Sequence, residues 1–174
     1  MRVIQPGFAS RKEEILAEIR RPTDPSGPEP RRRPSAAILT CVDERVVPES
    51  VFGCAAGRLY CVRLAGHVVT PEVVCSLEIA IGLGCRLIFV LGHTDCGALR
   101  LERAPTGDHF AIVQQLRWAT RALPWGATLD QAIEENVRHA VTELRSRLRA
   151  RVEGGVLDLS NGKLGILGDD GIEG

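Results

Sequence analysis

Two short clusters carry the side chains that could do chemistry, and each closes an apolar run. Cys41-Val42-Asp43-Glu44-Arg45 follows Ala36–Thr40, and His93-Thr94-Asp95-Cys96-Gly97 follows residues 87–92. Among their side chains are two thiols, one imidazole, one guanidinium and the carboxylate of Asp43. His93 and Cys96 are three residues apart, a spacing that suits a bend from strand into helix, where both can reach one ion. Two cysteines and a histidine with the fourth position open form a known catalytic zinc arrangement. An open position holds water, and zinc lowers that water's pKa from 15.7 toward about 7.

If the chain stays extended past Thr40, Cys41, Asp43 and Arg45 project to one side, because side-chain direction repeats every two residues. Two thiolates offset much of the metal's charge, so the ion is a weaker Lewis acid than one held by three histidines. Asp43 then has two possible roles. It is either a fourth ligand that shuts the site or a hydrogen-bond acceptor that orients a zinc-bound hydroxide. A two-point pairing with Arg45 holds the carboxylate off the metal, so one switchable residue accounts for an active and an idle state. Two other readings compete: a closed structural zinc held by Cys41, Asp43, His93 and Cys96, and a reactive-cysteine site built on Cys96 near His93. The first has no use for Arg45, and the second leaves Cys41, Asp43 and Arg45 idle.

The elements that must position these groups alternate. Residues 36–40, 59–63 and 87–91 are short, largely apolar runs of the kind found in strands buried on both faces. Between the second and third, Thr70-Pro71-Glu72 opens a helix with a capping hydroxyl, a proline at the first position and an acid in the first turn. Val74, Leu77, Ala80 and Ile81 give its packing face, and Gly82 and Gly84 end it. A short helix starts near Gly97, and another crosses Ile112, Val113 and Leu116. Thr128-Leu129-Asp130-Gln131 is a capping box for a longer helix with Ile133, Val137, Val141, Leu144 and Leu148 on one face. Ser160-Asn161-Gly162 separates residues 156–159 from 163–167 and signals a hairpin, and residues 168–174 read as a frayed tail.

The expected fold is α/β: a mainly parallel central sheet flanked by helices, with an N-terminal helical arm and a C-terminal β-hairpin or edge strand. Two strand ends side by side at the carboxyl edge of such a sheet bring the clusters together. Residues 1–34 form the arm and a proline-rich connector. The arm has a capping box at Ser10 and Glu13 and a stripe of Ile15, Leu16 and Ile19. The connector carries Pro22, Pro25, Pro28, Pro30 and Pro34, and an arm on such a tether can dock on a second subunit. Residues 35–174 form a single zinc-binding catalytic domain. Arg31, Arg32 and Arg33 read as solvated linker charge.

Lys+Arg and Asp+Glu both number 22, so the balance gives no reason to expect a nucleic-acid partner. Nothing approaches the roughly 18 apolar residues of a membrane span, and the first residues lack the apolar core of a secretion signal. A cytoplasmic location follows as an expectation, with cysteines serving as ligands or core rather than disulfides. Cys54, Cys61, Cys75 and Cys85 read as small core residues, His109 and His139 as structural, and Glu44 as facing away from Asp43. His67 reads as either a cleft residue or a satisfied loop histidine.

At these residues the chain resembles the β-class carbonic anhydrases. The resemblance rests on Cys41 to Arg45, Pro48-Glu49, Val62-Arg63-Leu64-Ala65-Gly66, Ser76-Leu77-Glu78 and Gly92 to Gly97. It runs over residues 34–99, with a weaker echo at 155–167. It implies reversible hydration of carbon dioxide to bicarbonate and a proton. Zinc would be held by Cys41, His93 and Cys96, with Asp43 and Arg45 as the catalytic dyad and the Gly97 amide helping to hold the small-molecule substrate. It also implies a homodimer or a dimer of dimers. Carbonyl sulfide or carbon disulfide hydrolysis at the same site is the alternative, followed by a non-catalytic zinc-binding scaffold.

Several positions depart from the family pattern. Arg32 stands where many members have a substrate-binding glutamine. Ile38 stands where one subgroup has a tryptophan of a bicarbonate pocket, so closure through that pocket is not expected. Leu64 and His67 replace asparagines, and Glu44 replaces a small residue. These differences bear on substrate preference more than on metal binding.

Overall fold

A computed structural model describes residues 10–22, 34–101, 110–168 and 172–173. Its centre is one sheet of six strands in the order β2-β1-β3-β4-β5-β6. The strands are β1 (Ala36–Thr40), β2 (Leu59–Arg63), β3 (Leu87–His93), β4 (Arg151–Leu157), β5 (Leu164–Leu167) and β6 (Ile172–Glu173). The first four in spatial order run parallel, β5 runs antiparallel to β4, and β6 runs antiparallel to β5. From β1 the chain moves outward to β2, then crosses back to β3 and on toward β4. The order therefore reverses between β1 and β3, the position where open α/β sheets form a crevice beyond their carboxyl ends. Thr40 pairs with Leu91, so Cys41 and His93 emerge side by side from that edge.

Alternation along the buried strands divides the core into two layers. Ala37 and Leu39 of β1, with Ile88 and Val90 of β3, face α3 (Pro71–Gly82) and α6 (Leu129–Arg147). There they meet Val73, Leu77, Ala80, Val137, Val141 and Leu144. Ala36 and Ile38, with Leu87, Phe89 and Leu91, face α1 (Arg11–Arg20) and α2 (Pro48–Phe52), where Ile15, Ile19 and Phe52 pack. Phe52 meets Phe89 edge to face at 5.3 Å between ring centres. The caps expected at Ser10, Thr70 and Thr128 are all made. Two shorter helices, α4 (Gly97–Leu101) and α5 (Phe110–Thr120), cover the carboxyl edge.

Several expectations are corrected. The arm helix α1 lies on its own chain's sheet: Ile15 and Ile19 are fully buried there, and Arg11 reaches Glu153 at 2.8 Å. Val73, which the sequence reading left off α3's packing face, is buried, whereas Val74 and Ile81 are only partly so. Of the four cysteines read as core, only Cys85 is buried; Cys54 is half-buried, and Cys61 and Cys75 are exposed. The hairpin at Asn161-Gly162 is present, but its first strand begins at Arg151 and pairs with β3 along its whole length. Gly154 and Gly155 within it are what the packing requires. A Cβ on Gly155 would lie 2.4 Å from the Gly165 carbonyl oxygen, and one on Gly154 would lie 2.7 Å from Val141. The tail read as frayed returns at Ile172–Glu173 to pair with β5. Arg31 to Arg33 and His109 lie outside the described residues.

Candidate metal centre and acid–base pair

Cys41, His93 and Cys96 come together at the crevice, with their donor atoms all within 4.8 Å of one another. Each residue is at most 3% exposed. Leu99, Leu116, Ala132 and Ile133 pack beside the thiols and keep that side apolar. Cys41 follows β1 directly, and His93 is the last residue of β3. Asp95 takes a left-handed φ of +57°, which turns the chain sharply enough to swing Cys96 back beside His93. Gly97, at the start of α4, leaves open space around its Cα.

The chemistry of this donor set fits a divalent ion. The two sulfurs are 4.0 Å apart, against about 3.8 Å for two thiolates held 2.3 Å from one tetrahedral zinc. Nδ1 of His93 lies 2.9 Å from the Thr94 carbonyl oxygen. A carbonyl can only accept, so the ring hydrogen sits on Nδ1 and Nε2 presents a lone pair. That Nε2 is buried and has no hydrogen-bond partner, an arrangement that a metal bond would satisfy. The thiols respond to one another across the pocket. The Cys96 S–H stabilises the Cys41 thiolate and draws its pKa down, while that thiolate beside Cys96 pushes the second thiol up. Burial alone would lower His93, but the Cys41 sulfur and the Thr94 carbonyl outweigh it and raise the imidazole.

Asp43 and Arg45 do not sit on a strand face as expected, because β1 ends at Thr40 and the chain turns. The turn itself makes the pair. The Arg45 backbone N–H donates to Asp43 Oδ1 at 3.1 Å, Nε donates to the same oxygen at 2.9 Å, and an Nη donates to Oδ2 at 2.7 Å. This two-point pairing holds the carboxylate low, to about 2. Asp43 Oδ2 lies 3.9 Å from His93 Nε2, so the carboxylate borders the donor set while its oxygens are engaged by Arg45.

Some contributors escaped the sequence reading. Asp95 is a second acid on Arg45, at 3.0 Å, and also pairs with Arg100. Arg63 donates to the carbonyls of Cys41, Asp43 and Val46 and so fixes the loop that carries the dyad. A charged side chain ending β2 beside three loop carbonyls leaves no local sequence signal. Asn136, in the middle of α6, bonds both Gly66 and His67. His67 is buried rather than lining an open cleft. One of its nitrogens is bonded to Asn136, the other has no partner, and burial pushes its pKa down to about 4. Glu44 is exposed, and His139 pairs with Glu143 away from the crevice.

Comparison with known proteins bears on the family and the fold. Residues 36–164 match the carbonic anhydrase family model. Carbonic anhydrase 2 of Mycobacterium tuberculosis is 41% identical over 78 residues, covering 44% of this chain and 38% of the relative. The chain thus spans well under half of that relative's length. The solved structure of the Coccomyxa β-carbonic anhydrase in complex with acetazolamide superposes with a TM-score of 0.70 at 22% identity, covering 78% of this chain and 72% of that one. An apo form of carbon disulfide hydrolase superposes with a TM-score of 0.54 at 23% identity, covering 76% and 78%. With the family model matched from β1 through β4 and over both clusters, the chain belongs to the β-class carbonic anhydrase family.

Proposed function

We propose that this chain catalyses the reversible hydration of carbon dioxide to bicarbonate and a proton, with zinc held by Cys41, His93 and Cys96. The observation that carries the reading is a three-donor set bordered by a carboxylate that Arg45 keeps ionised and off the donors. Bound zinc supplies Lewis acidity that brings the pKa of water toward about 7. Asp43 Oδ2 accepts a hydrogen bond from the attacking water and orients its oxygen toward carbon. Arg45 keeps that carboxylate a pure acceptor. The Gly97 N–H donates to a substrate oxygen, and the wall of Leu99, Leu116 and Ile133 keeps bulk water from the linear substrate. One C–O bond forms, one proton passes to solvent, and nothing is oxidised.

The working form is a homodimer or a dimer of dimers in the cytoplasm. β2 ends the sheet with an unpaired outer edge among the described residues, and the described cysteines are free thiols. Among the described residues no helix is long and apolar enough to cross a membrane.

The second reading is hydrolysis of carbon disulfide or carbonyl sulfide, supported by the fold shared with a carbon disulfide hydrolase. Stopped-flow assays with carbon dioxide, carbonyl sulfide and carbon disulfide on protein of measured zinc content separate the two. Carbon dioxide turnover well above both sulfur substrates is expected. Faster turnover of a sulfur substrate reverses the assignment, and none with any substrate at full zinc loading leaves a scaffold.

A further inference from the structure

We propose that Asn136 of α6 is a positioning residue for the metal centre: through the Gly66 peptide and His67 it aims the Gly66 N–H at Cys41 Sγ and sets how strongly that sulfur donates. The proposal rests on Cys41, His93 and Cys96 being metal donors. Asn136 is 2% exposed and stands on the same helix as the buried apolar residues Ile133, Val137 and Ala140. A buried amide there is costly unless its hydrogen bonds are made. Its Nδ2 lies 2.8 Å from the Gly66 carbonyl oxygen and 2.9 Å from His67 Nε2. A carbonyl only accepts, so the nearby atom of Asn136 is its nitrogen. Both amide hydrogens are then committed, and His67 Nε2 is the acceptor. The imidazole is held neutral, with its hydrogen on Nδ1.

The clamped segment is conformationally unusual. Gly66 has φ +62° and His67 has φ +44°, both left-handed, a combination that only holds when the surroundings enforce it. The enforcing contacts are Asn136 from one side and the His67 N–H to Leu64 carbonyl bond, at 2.8 Å, from the other. What the turn delivers is the Gly66 N–H, 3.3 Å from Cys41 Sγ. An N–H on a thiolate withdraws electron density from it. The sulfur becomes a weaker donor and leaves the metal a stronger Lewis acid, which offsets part of the cost of two-thiolate ligation. Groups one layer behind metal ligands commonly matter in this way.

The test uses the full chain with zinc replaced by cobalt or cadmium. In the cadmium-loaded wild type, NMR should show scalar coupling between the metal and the Gly66 amide hydrogen, carried through Cys41. Its absence overturns the proposal without any variant. Asn136→Asp, nearly isosteric but unable to donate to Gly66, should move the sulfur-to-cobalt charge-transfer band to longer wavelength and raise the pH midpoint of kcat/KM. Asn136→Ala should act the same way. Leu144→Ala, buried on the same helix away from the centre, should lower Tm and move neither band nor midpoint. If the Asn136 variants behave as Leu144→Ala does, the residue only packs and the proposal falls. A wild type that takes up neither cobalt nor cadmium at one ion per chain removes the metal reading itself, a result distinct from an unmoved band.

Discussion

The floor and the rim of the crevice are built on different principles. On the floor, Cys41, His93 and Cys96 are almost fully buried and are placed by backbone: two adjacent strand ends and one left-handed residue. On the rim, Asp43, Arg45, Asp95 and Arg100 are placed by one another, through ion pairs in which the Arg45 side chain is 44% exposed and Asp95 48%. Floor positions are inherited from the fold, so disturbing them should disturb folding. Rim positions rest on side-chain pairing in water, where each exposed pair is worth about 1 kcal/mol or less, so disturbing them should change chemistry and spare the fold.

The largest break in this contrast is Cys96→Ser. It should abolish zinc binding and lower Tm together, because metal binding to such a site is coupled to folding. One zinc per chain retained, by elemental analysis, would place the ligand set elsewhere. On the rim, Asp43→Ala should keep its zinc and its fold, with Tm lowered by the lost Arg45 pairing, while kcat/KM for carbon dioxide falls by about a hundredfold or more, the scale of losing a positioned acid–base group. Undiminished turnover would take Asp43 out of the chemistry.

Acid should separate the regions along the pH axis. His67 binds a proton near its ordinary 6.5 in the unfolded chain but only near about 4 when folded. The unfolded state therefore carries more protons in that window. Stability contributed by neutral His67 is complete above pH 6.5 and drains away as pH falls toward about 4, with a slope of up to about 1.4 kcal/mol per pH unit. Asp43 runs the other way in origin: its carboxyl is depressed from 3.8 to about 2. Its stabilisation is complete above pH 3.8 and is lost only as pH falls through that lower range. Denaturant titrations at descending pH should show the first loss but not in His67→Gln. A wild type equally stable at pH 7 and pH 5 contradicts this ordering. The smallest effect belongs to Asp95→Asn, where Arg45 keeps its two-point grip on Asp43. Activity should change only a few-fold, with Tm within about a degree or two. A loss as deep as that of Asp43→Ala would merge the two acids into one unit.

The same division governs how much could be read from sequence. The floor was legible because strand ends, ligand types and spacing are local properties: the apolar runs before Cys41 and His93 placed both clusters at one sheet edge. The helix caps were legible for the same reason. The geometry around Arg45 was only half legible. Its pairing with Asp43 was foreseen, but on a continuing strand rather than on the turn that makes it. Asp95, Arg63 and Asn136 act over separations of 50, 20 and 70 residues from their partners Arg45, Asp43 and Gly66, and no periodicity marks such contacts. β4 was half seen because Glu153, Gly154 and Gly155 look unlike a central strand until α6 and the Gly165 backbone are known to press on them. The arm misled for a related reason. An Ile15–Ile19 stripe says that a helix must be covered, not by which surface.

Gly92 gives the site a mechanical property. A methyl group there would lie 2.5 Å from Val137, so α6 rides directly on the bare backbone of the residue preceding His93, with no cushioning layer between them. Any displacement of this helix is therefore passed straight to the backbone that carries the imidazole, with no intervening side chain to absorb it.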